Sequence, residues 1–316
     1  MNNVIPLEGS VYLSPVDWVA HVDHEIGGAD QRWGRLLFKA HAPGQSPTSH
    51  WAHTIWQKPL MVNIESIGTA AQFLRSQGKL WAPFAQGHYK RMEFIQAKLP
   101  HLNLKPRSFP FDALLGTRGS SAGLGGWTLL EENLLLASAH TTSPFPNGEL
   151  TFGENHIDPP STAYLKLWEA LTHLGQRPSE ESICLDAGCA PGGWTWVLAQ
   201  LGATVYAIDK GPLEKGLDKN PRIHYTKGDA FALRAKDLPP LDWFFSDVIC
   251  YPSKLYEWIE GWVEESPQTT FVVTIKMQGD PDWKVLNAMA SMPGCFVRHL
   301  RYNKHEVTWF RPGFKP

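Results

Sequence analysis

The chain predicts an α/β fold: a Rossmann-like sheet, parallel with an antiparallel last hairpin, preceded by a smaller α+β N-terminal domain. Three observations carry this. Strand and helix patterns alternate from residue 162 onward, the final two strand patterns lie only a few residues apart, and a turn-rich stretch divides the chain near its middle. That stretch, Thr141 to Pro160, reads TTSPFPNGELTFGENHIDPP, the composition of a connector. With 316 residues, about twice one ordinary domain, two domains are expected, over 1–150 and 151–316.

In the first half, a strand is expected at Ser10 to Ser14, a helix at Val16 to Ile26 and a strand at Leu36 to Ala40. From residue 90 to 118 the bases Lys90, Arg91, Lys98, Lys105, Arg107 and Arg118 outnumber the acids Glu93 and Asp112. This gives either a solvated helix face or an RNA contact. The second half opens with a helix at Thr162 to Leu174, whose Tyr164, Leu167, Trp168, Leu171 and Leu174 recur on one face. Strands follow at Ile183 to Gly188, Thr204 to Asp209, Ile223 to Thr226, Trp243 to Val248 and Thr270 to Met277, with helices at Trp194 to Leu201 and Leu255 to Glu265. Cys295 to Tyr302 and Glu306 to Phe310 are too close for a crossover, so they read as an antiparallel hairpin.

Composition excludes more than it selects. Hydrophobic residues make up 43% and charged residues 19%, ordinary for a globular protein. A formal net charge of −2 means that any nucleic-acid partner must be held by a local basic surface. The four cysteines form no CxxC pair, so no metal is expected. The N-terminus lacks a signal-peptide pattern and no apolar run is membrane-spanning in length; a cytoplasmic protein with no membrane partner is the expectation.

The most specific segment is Asp186-Ala187-Gly188-Cys189-Ala190-Pro191-Gly192-Gly193-Trp194, which leaves a strand and enters a helix. Glycines allow a sharp turn and close ligand approach, and a helix start offers free N–H groups to a carboxylate. That suits the amino-acid end of S-adenosylmethionine. The spacing of Gly188, Gly192 and Gly193 is not GxGxxG, which argues against an NAD-dependent oxidoreductase. Asp209 and Asp229 follow at the ends of the next two strands, where open α/β sheets hold their ligands. The first could accept from both ribose hydroxyls of an adenosine, the second from the adenine amino group. Either acid alone would read as a turn former; three acids after successive strands favour a ligand.

The segment from Asp186 to Trp194 resembles the cofactor motif of the FtsJ family of RNA ribose 2'-O-methyltransferases, and the resemblance extends from about Pro160 to the C-terminus. Lys166, Asp247, Lys276 and Glu306 are similar in order to that family's Lys-Asp-Lys-Glu tetrad. It implies a class I methyltransferase sheet, S-adenosylmethionine as cofactor, RNA as partner, and cofactor contacts at Gly188, Ala190, Pro191, Gly192, Gly193, Trp194, Asp209, Asp229 and Asp247. PSTAYLKLWEA, DAGCAPGGWTW, AIDKGP and HEVTWFRP are most similar to the bacterial branch that modifies cytidine in large-subunit (23S) rRNA. VYLSPVDWVAHVDHEIGG, GRLLFKA and TTSPFPNG are similar in order to the THUMP-containing N-terminal region of that branch, although the region is shorter here. Ala163 stands where that family would place a serine near the cofactor.

Topology alone lets the four side chains meet. Asp247 and Lys276 end parallel strands, Glu306 opens an antiparallel strand at the same edge, and Lys166 comes from the preceding helix. In a displacement by a ribose 2'-hydroxyl, Lys276 is the expected base. Its ordinary pKa of about 10.4 must fall. Lys166 and burial under RNA push it down, whereas Asp247 and Glu306 push it up. The same chemistry on transfer RNA or another RNA, and a non-catalytic RNA-binding module, are the alternatives.

Overall fold

A computed structural model describes residues 3–42, 44–110, 124–214 and 216–313. The chain divides into two compact units, Met1–Arg107 with Gly116–Thr151, and Ser108–Leu115 with Phe152–Pro316.

The N-terminal unit runs β1 (Val4–Pro6), β2 (Gly9–Leu13), α1 (Val19–Glu25), β3 (Gln31–Trp33), β4 (Leu36–Ala40), β5 (Thr54–Gln57) and β6 (Leu60–Asn63). It continues with α2 (Ile67–Gln77), β7 (Leu80–Pro83), α3 (Tyr89–Gln96), β8 (Leu124–Glu131), β9 (Leu134–Ser138) and β10 (His140–Thr141). The strands form two five-stranded sheets, ordered β1-β6-β9-β8-β7 and β10-β5-β2-β4-β3. The helix expected over Val16 to Ile26 opens as a 3-10 turn, Val16–Trp18, behind Pro15, and becomes α-helical at Val19. Helix α2 starts on a capping box: the Ser66 hydroxyl accepts from Thr69 N at 3.1 Å, and the Thr69 hydroxyl accepts from Ser66 N at 2.9 Å.

Tryptophans fill the interior of this unit, and two adjacent glycines in β8 make room for them. A Cβ on Gly125 would stand 2.5 Å from the Trp81 ring, and one on Gly126 would stand 2.3 Å from the Trp56 ring. Both rings are essentially buried, so neither can swing into solvent. Gly126→Ala is expected to destabilise the unit by about 1–3 kcal/mol through overpacking, measured as a lower denaturant midpoint with an unchanged slope.

The C-terminal unit runs α4 (Ala163–Leu174), β11 (Ile183–Ala187), α5 (Gly193–Gln200), β12 (Thr204–Asp209), β13 (Ile223–Lys227) and β14 (Trp243–Ser246). It ends with α6 (Pro252–Glu265), β15 (Thr270–Lys276), α7 (Trp283–Ala290), β16 (Phe296–Arg298) and β17 (Glu306–Arg311). The sheet order is β13-β12-β11-β14-β15-β17-β16. The first five strands are mutually parallel, and β17 is antiparallel to both of its neighbours. Strand order reverses between β11 and β14, so a crevice opens at their carboxyl ends. Both strands are largely apolar and buried, as parallel strands under helices must be, with Asp186 and Ser246 as their polar residues.

Two features differ from the sequence expectation. Helices do not alternate throughout: among the described residues, the links β12–β13 and β13–β14 hold only 3-10 turns. Gly211, Pro212, Gly216 and Pro221 explain the first, because such residues interrupt a helix. The penultimate strand is also shorter than Cys295 to Tyr302. It stops at Arg298, because the backbone then turns, with Asn303 N donating to Leu300 O at 3.1 Å.

Candidate active site

Five consecutive residues of β15, Phe271 to Ile275, are completely buried and carry the next residue, Lys276, to the carboxyl edge of the sheet. Register does the rest. Lys276 is paired directly with Glu306, the first residue of β17. Asp247 lies one residue beyond β14, and Lys166 projects from α4. The Lys166 ammonium lies 3.0 Å from Asp247 Oδ1 and 2.5 Å from Glu306 Oε1. Lys276 donates to Asp247 Oδ1 and Glu306 Oε2, each at 2.7 Å. Each cation therefore touches both anions, closing a ring of alternating charge, with side-chain exposures between 7% and 19%. The Thr274 hydroxyl adds a third donor to Asp247 Oδ1 at 2.7 Å.

Beside this ring, the turn after β11 takes conformations that glycine favours. Gly188 has φ +83° and Gly192 has φ +117°. A Cβ on Gly188 would stand 3.0 Å from Val248, and one on Gly193 would stand 2.5 Å from the Ser161 hydroxyl. Asp209 braces the turn: its carboxylate accepts from Ala190 N at 3.1 Å and from Gly211 N at 2.7 Å. Ala190 and Pro191 therefore lie between the two strand ends. Asp229 accepts from Phe231 N at 3.1 Å and pairs with Lys210 at 2.9 Å. The Trp194 indole donates to Ala163 O at 3.0 Å and meets Phe245 edge-on, so its ring packs the interior.

Two polar atoms in this crevice are buried without a hydrogen-bond partner. Asp186 is 1% exposed; its Oδ2 accepts from the Thr195 hydroxyl at 2.6 Å, while its Oδ1 is buried with no hydrogen-bond partner. The Ser161 hydroxyl, also buried, has none either. The free N–H groups at the start of α5, the glycine cradle and the acids Asp209 and Asp229 fit a ligand with a carboxylate at one end and a nucleoside at the other. Ser161 is a candidate contact that the sequence reading missed, two residues before Ala163.

Residues 160–263 match the family model of the FtsJ-like methyltransferase. The C-terminal unit carries an FtsJ-like methyltransferase domain. "Ribosomal RNA large subunit methyltransferase M" of Laribacter hongkongensis is 33% identical over 141 residues, 43% of this chain and 39% of that protein. The protein of the same name from Halorhodospira halophila is 36% identical over 121 residues, 37% of this chain and 35% of its own length. The chain thus aligns with less than half the length of these relatives. Among solved structures, a ribosomal RNA methyltransferase from Plasmodium falciparum superposes with a TM-score of 0.39 at 19% identity, over 49% of this chain and 97% of that one.

The charges of the site have direction. For Lys276, burial is the largest single influence and pushes the pKa down. The attraction of Asp247 and Glu306 outweighs it and holds the ammonium above its ordinary value. For Asp247, burial pushes up, but Lys166 and then Lys276 outweigh it and hold the carboxyl low. Asp186 is raised to about 7, first by burial and then by Asp247 and Asp209, against the hydrogen bond from Thr195.

A second buried network positions the ring, and the sequence reading missed it. Glu169, completely buried in α4, accepts from Arg301 N at 2.9 Å and from Tyr302 N at 3.1 Å. His173 lies 3.5 Å from the same carboxylate, and Arg298 lies 3.2 Å from His173. Glu169 thereby ties the helix bearing Lys166 to the turn that precedes Glu306. Lys166, Glu169 and His173 fall at i, i+3 and i+7, so one helix face carries all three. That spacing was the available signal. Glu169→Ala is expected to cost about 3–5 kcal/mol, as removal of one member of a buried charged network does, read as a fall in the denaturant midpoint.

Elsewhere, Lys90, Lys98 and Lys105 of the basic stretch are exposed, while Arg91 is half-buried and lies 3.7 Å from Glu132; Arg118 is outside the described residues. Among the described residues, no group of three or more His, Cys, Asp or Glu could hold a metal ion, and no helix is long and apolar enough to cross a membrane.

Proposed function

We propose that the chain is an S-adenosylmethionine-dependent RNA ribose 2'-O-methyltransferase acting on large-subunit ribosomal RNA. One observation carries the reading: two lysines and two carboxylates interlock within hydrogen-bond distance beside the turn that opens α5. The names of the matched relatives support ribosomal RNA as the substrate class. S-Adenosylmethionine, when bound, supplies a methyl group on a positively charged sulfur. Gly188, Ala190, Pro191, Gly192, Gly193 and Trp194 shape the turn that would hold its amino-acid end, with Ser161 and the unpartnered oxygen of Asp186 as further contacts. Asp209 would accept from the ribose hydroxyls and Asp229 from the adenine amino group, while Asp247 faces both this cleft and the lysines.

A ribose 2'-hydroxyl attacking in line must lose its proton as the new O–C bond forms. Lys276 takes that proton at Nζ, which requires the amine to be neutral at that moment. In the resting ring its neighbours favour the ammonium; RNA covering the ring removes water and, with Lys166 alongside, lowers the cost of deprotonation. Asp247 and Glu306 aim both lysines, and Lys166 positions the hydroxyl.

We assign the N-terminal unit, as a reduced THUMP-like module, to RNA contact, supported by exposed Lys90 and Lys98 near exposed Tyr89 and Phe94 on α3 and its C-terminal flank. The four free cysteines suit the reducing cytoplasm. The test is methyl transfer from radiolabelled S-adenosylmethionine to protein-free large-subunit rRNA, assembled subunits and transfer RNA. Label on a ribose 2'-oxygen of rRNA supports the reading. Label only on transfer RNA overturns the substrate, and no label despite cofactor binding favours a non-catalytic RNA-binding module.

A further inference from the structure

Between Asp247 and the start of α6 lie Val248, Ile249, Cys250 and Tyr251, none of them in a strand or helix. Their burial alternates. Val248 and Cys250 are half-buried, whereas Ile249 is 76% and Tyr251 68% exposed. That alternation leaves Ile249 and Tyr251 as the two exposed side chains of the segment. The inward side is anchored along its length. Val248 packs on the Gly188 turn, with its Cα and Cβ 3.0 Å from where a Gly188 Cβ would be. Cys250 is half-buried, and burial pushes its thiol up to about 11 against the charges of Lys254 and Lys276. Buried Pro252 opens the helix behind it. The segment therefore forms a rim between the glycine turn and the charged ring, with its two largest apolar side chains turned outward.

Single exposed hydrophobic residues are common and call for no explanation. Here an isoleucine and a tyrosine share one side of a short rim, beginning two residues after Asp247. We propose that Ile249 and Tyr251 form the platform on which an unpaired base of the substrate RNA stacks while its ribose hydroxyl meets the charged ring. The assignment rests on the reading under Proposed function. The occupant's chemistry follows from its neighbours: a ribose presented to Lys276 leaves its base at the rim, and only an unpaired, unstacked base has a face free for an aromatic ring. Stacking of this kind tolerates any base, so the platform would position the nucleotide without choosing its sequence.

The experiment uses the full chain with Tyr251→Ala, Tyr251→Phe and Ile249→Ser, in methyl transfer to protein-free large-subunit rRNA and in binding of a labelled single-stranded oligoribonucleotide against its duplex. Tyr251→Ala is expected to raise KM for RNA about tenfold, with KM for S-adenosylmethionine unchanged, and to weaken single-strand binding but not duplex binding. Ile249→Ser should act in the same direction, and Tyr251→Phe should behave as the unsubstituted protein. An unchanged KM in Tyr251→Ala, or a Tyr251→Phe as impaired as the alanine variant, would overturn the platform. If the unsubstituted chain transfers no methyl to any RNA, the reading of its function fails; the binding comparison still decides whether Tyr251 holds an unpaired base.

Discussion

Lys276→Ala is expected to lower methyl transfer by about 10²–10⁴-fold, the usual worth of a positioned general base, while S-adenosylhomocysteine binds as before. Alanine also leaves Lys166 alone against two carboxylates, so a second variant separates chemistry from architecture. Lys276→Arg keeps a cation between Asp247 and Glu306, but a guanidinium stays protonated throughout the accessible pH range. It should match the alanine variant in rate and the unsubstituted protein in unfolding midpoint. Retained turnover in either variant removes Lys276 from the role of base. The pH profile follows from the same residue: because Asp247 and Glu306 hold its ammonium above the ordinary lysine value, the rate should climb with pH across the neutral and mildly alkaline range.

Stability should respond to the ring with the opposite sign. A lysine raised in the folded state contributes stability that is complete below its unfolded pKa and is lost as pH rises through its folded one. Asp247, held low, contributes stability above the ordinary carboxylate pKa that is lost as pH falls. The ring is therefore strongest at intermediate pH, with each partner securing one flank.

Asp186→Asn carries the second large expected effect, a gain in stability that grows with pH. The carboxyl of Asp186 is raised from 3.8 to about 7, so the folded chain binds a proton over an interval where the unfolded chain has released it. Stability must then fall as pH rises between those two values. At about 1.36 kcal/mol per pKa unit, the total penalty above neutrality is about 4 kcal/mol. The amide cannot ionise and can still accept from Thr195. Denaturant midpoints of the ligand-free proteins should therefore coincide near pH 4 and diverge towards pH 8, with the asparagine variant more stable. Parallel curves across that range would show that Asp186 ionises freely in the folded chain.

The sequence resolved those parts of the domain whose cause is local. The run Phe271 to Ile275 is apolar and largely β-branched, so a buried strand at that point needs no knowledge of its neighbours. The glycines between Asp186 and Trp194 announce a turn in the same way, and their departure from GxGxxG spoke against a dinucleotide. Lys166, Asp247, Lys276 and Glu306 could be named from order and strand-end position, because the end of a parallel strand and the start of its antiparallel neighbour share an edge.

What the sequence could not supply depends on distances between segments far apart in the chain. Glu169 reads as a solvated helix residue until the fold brings the backbone of Arg301 and Tyr302 onto its carboxylate. Ser161 is one serine just after a proline-rich connector until Gly193 packs beneath it. The balance of charge at Lys276 was likewise open: burial and two carboxylates oppose one another, and only their actual separations decide between them. Local periodicity follows from backbone geometry and is written in neighbouring residues. Electrostatic balance and hydrogen-bond completion depend on contacts across the chain, so they were decided only when the tertiary structure closed.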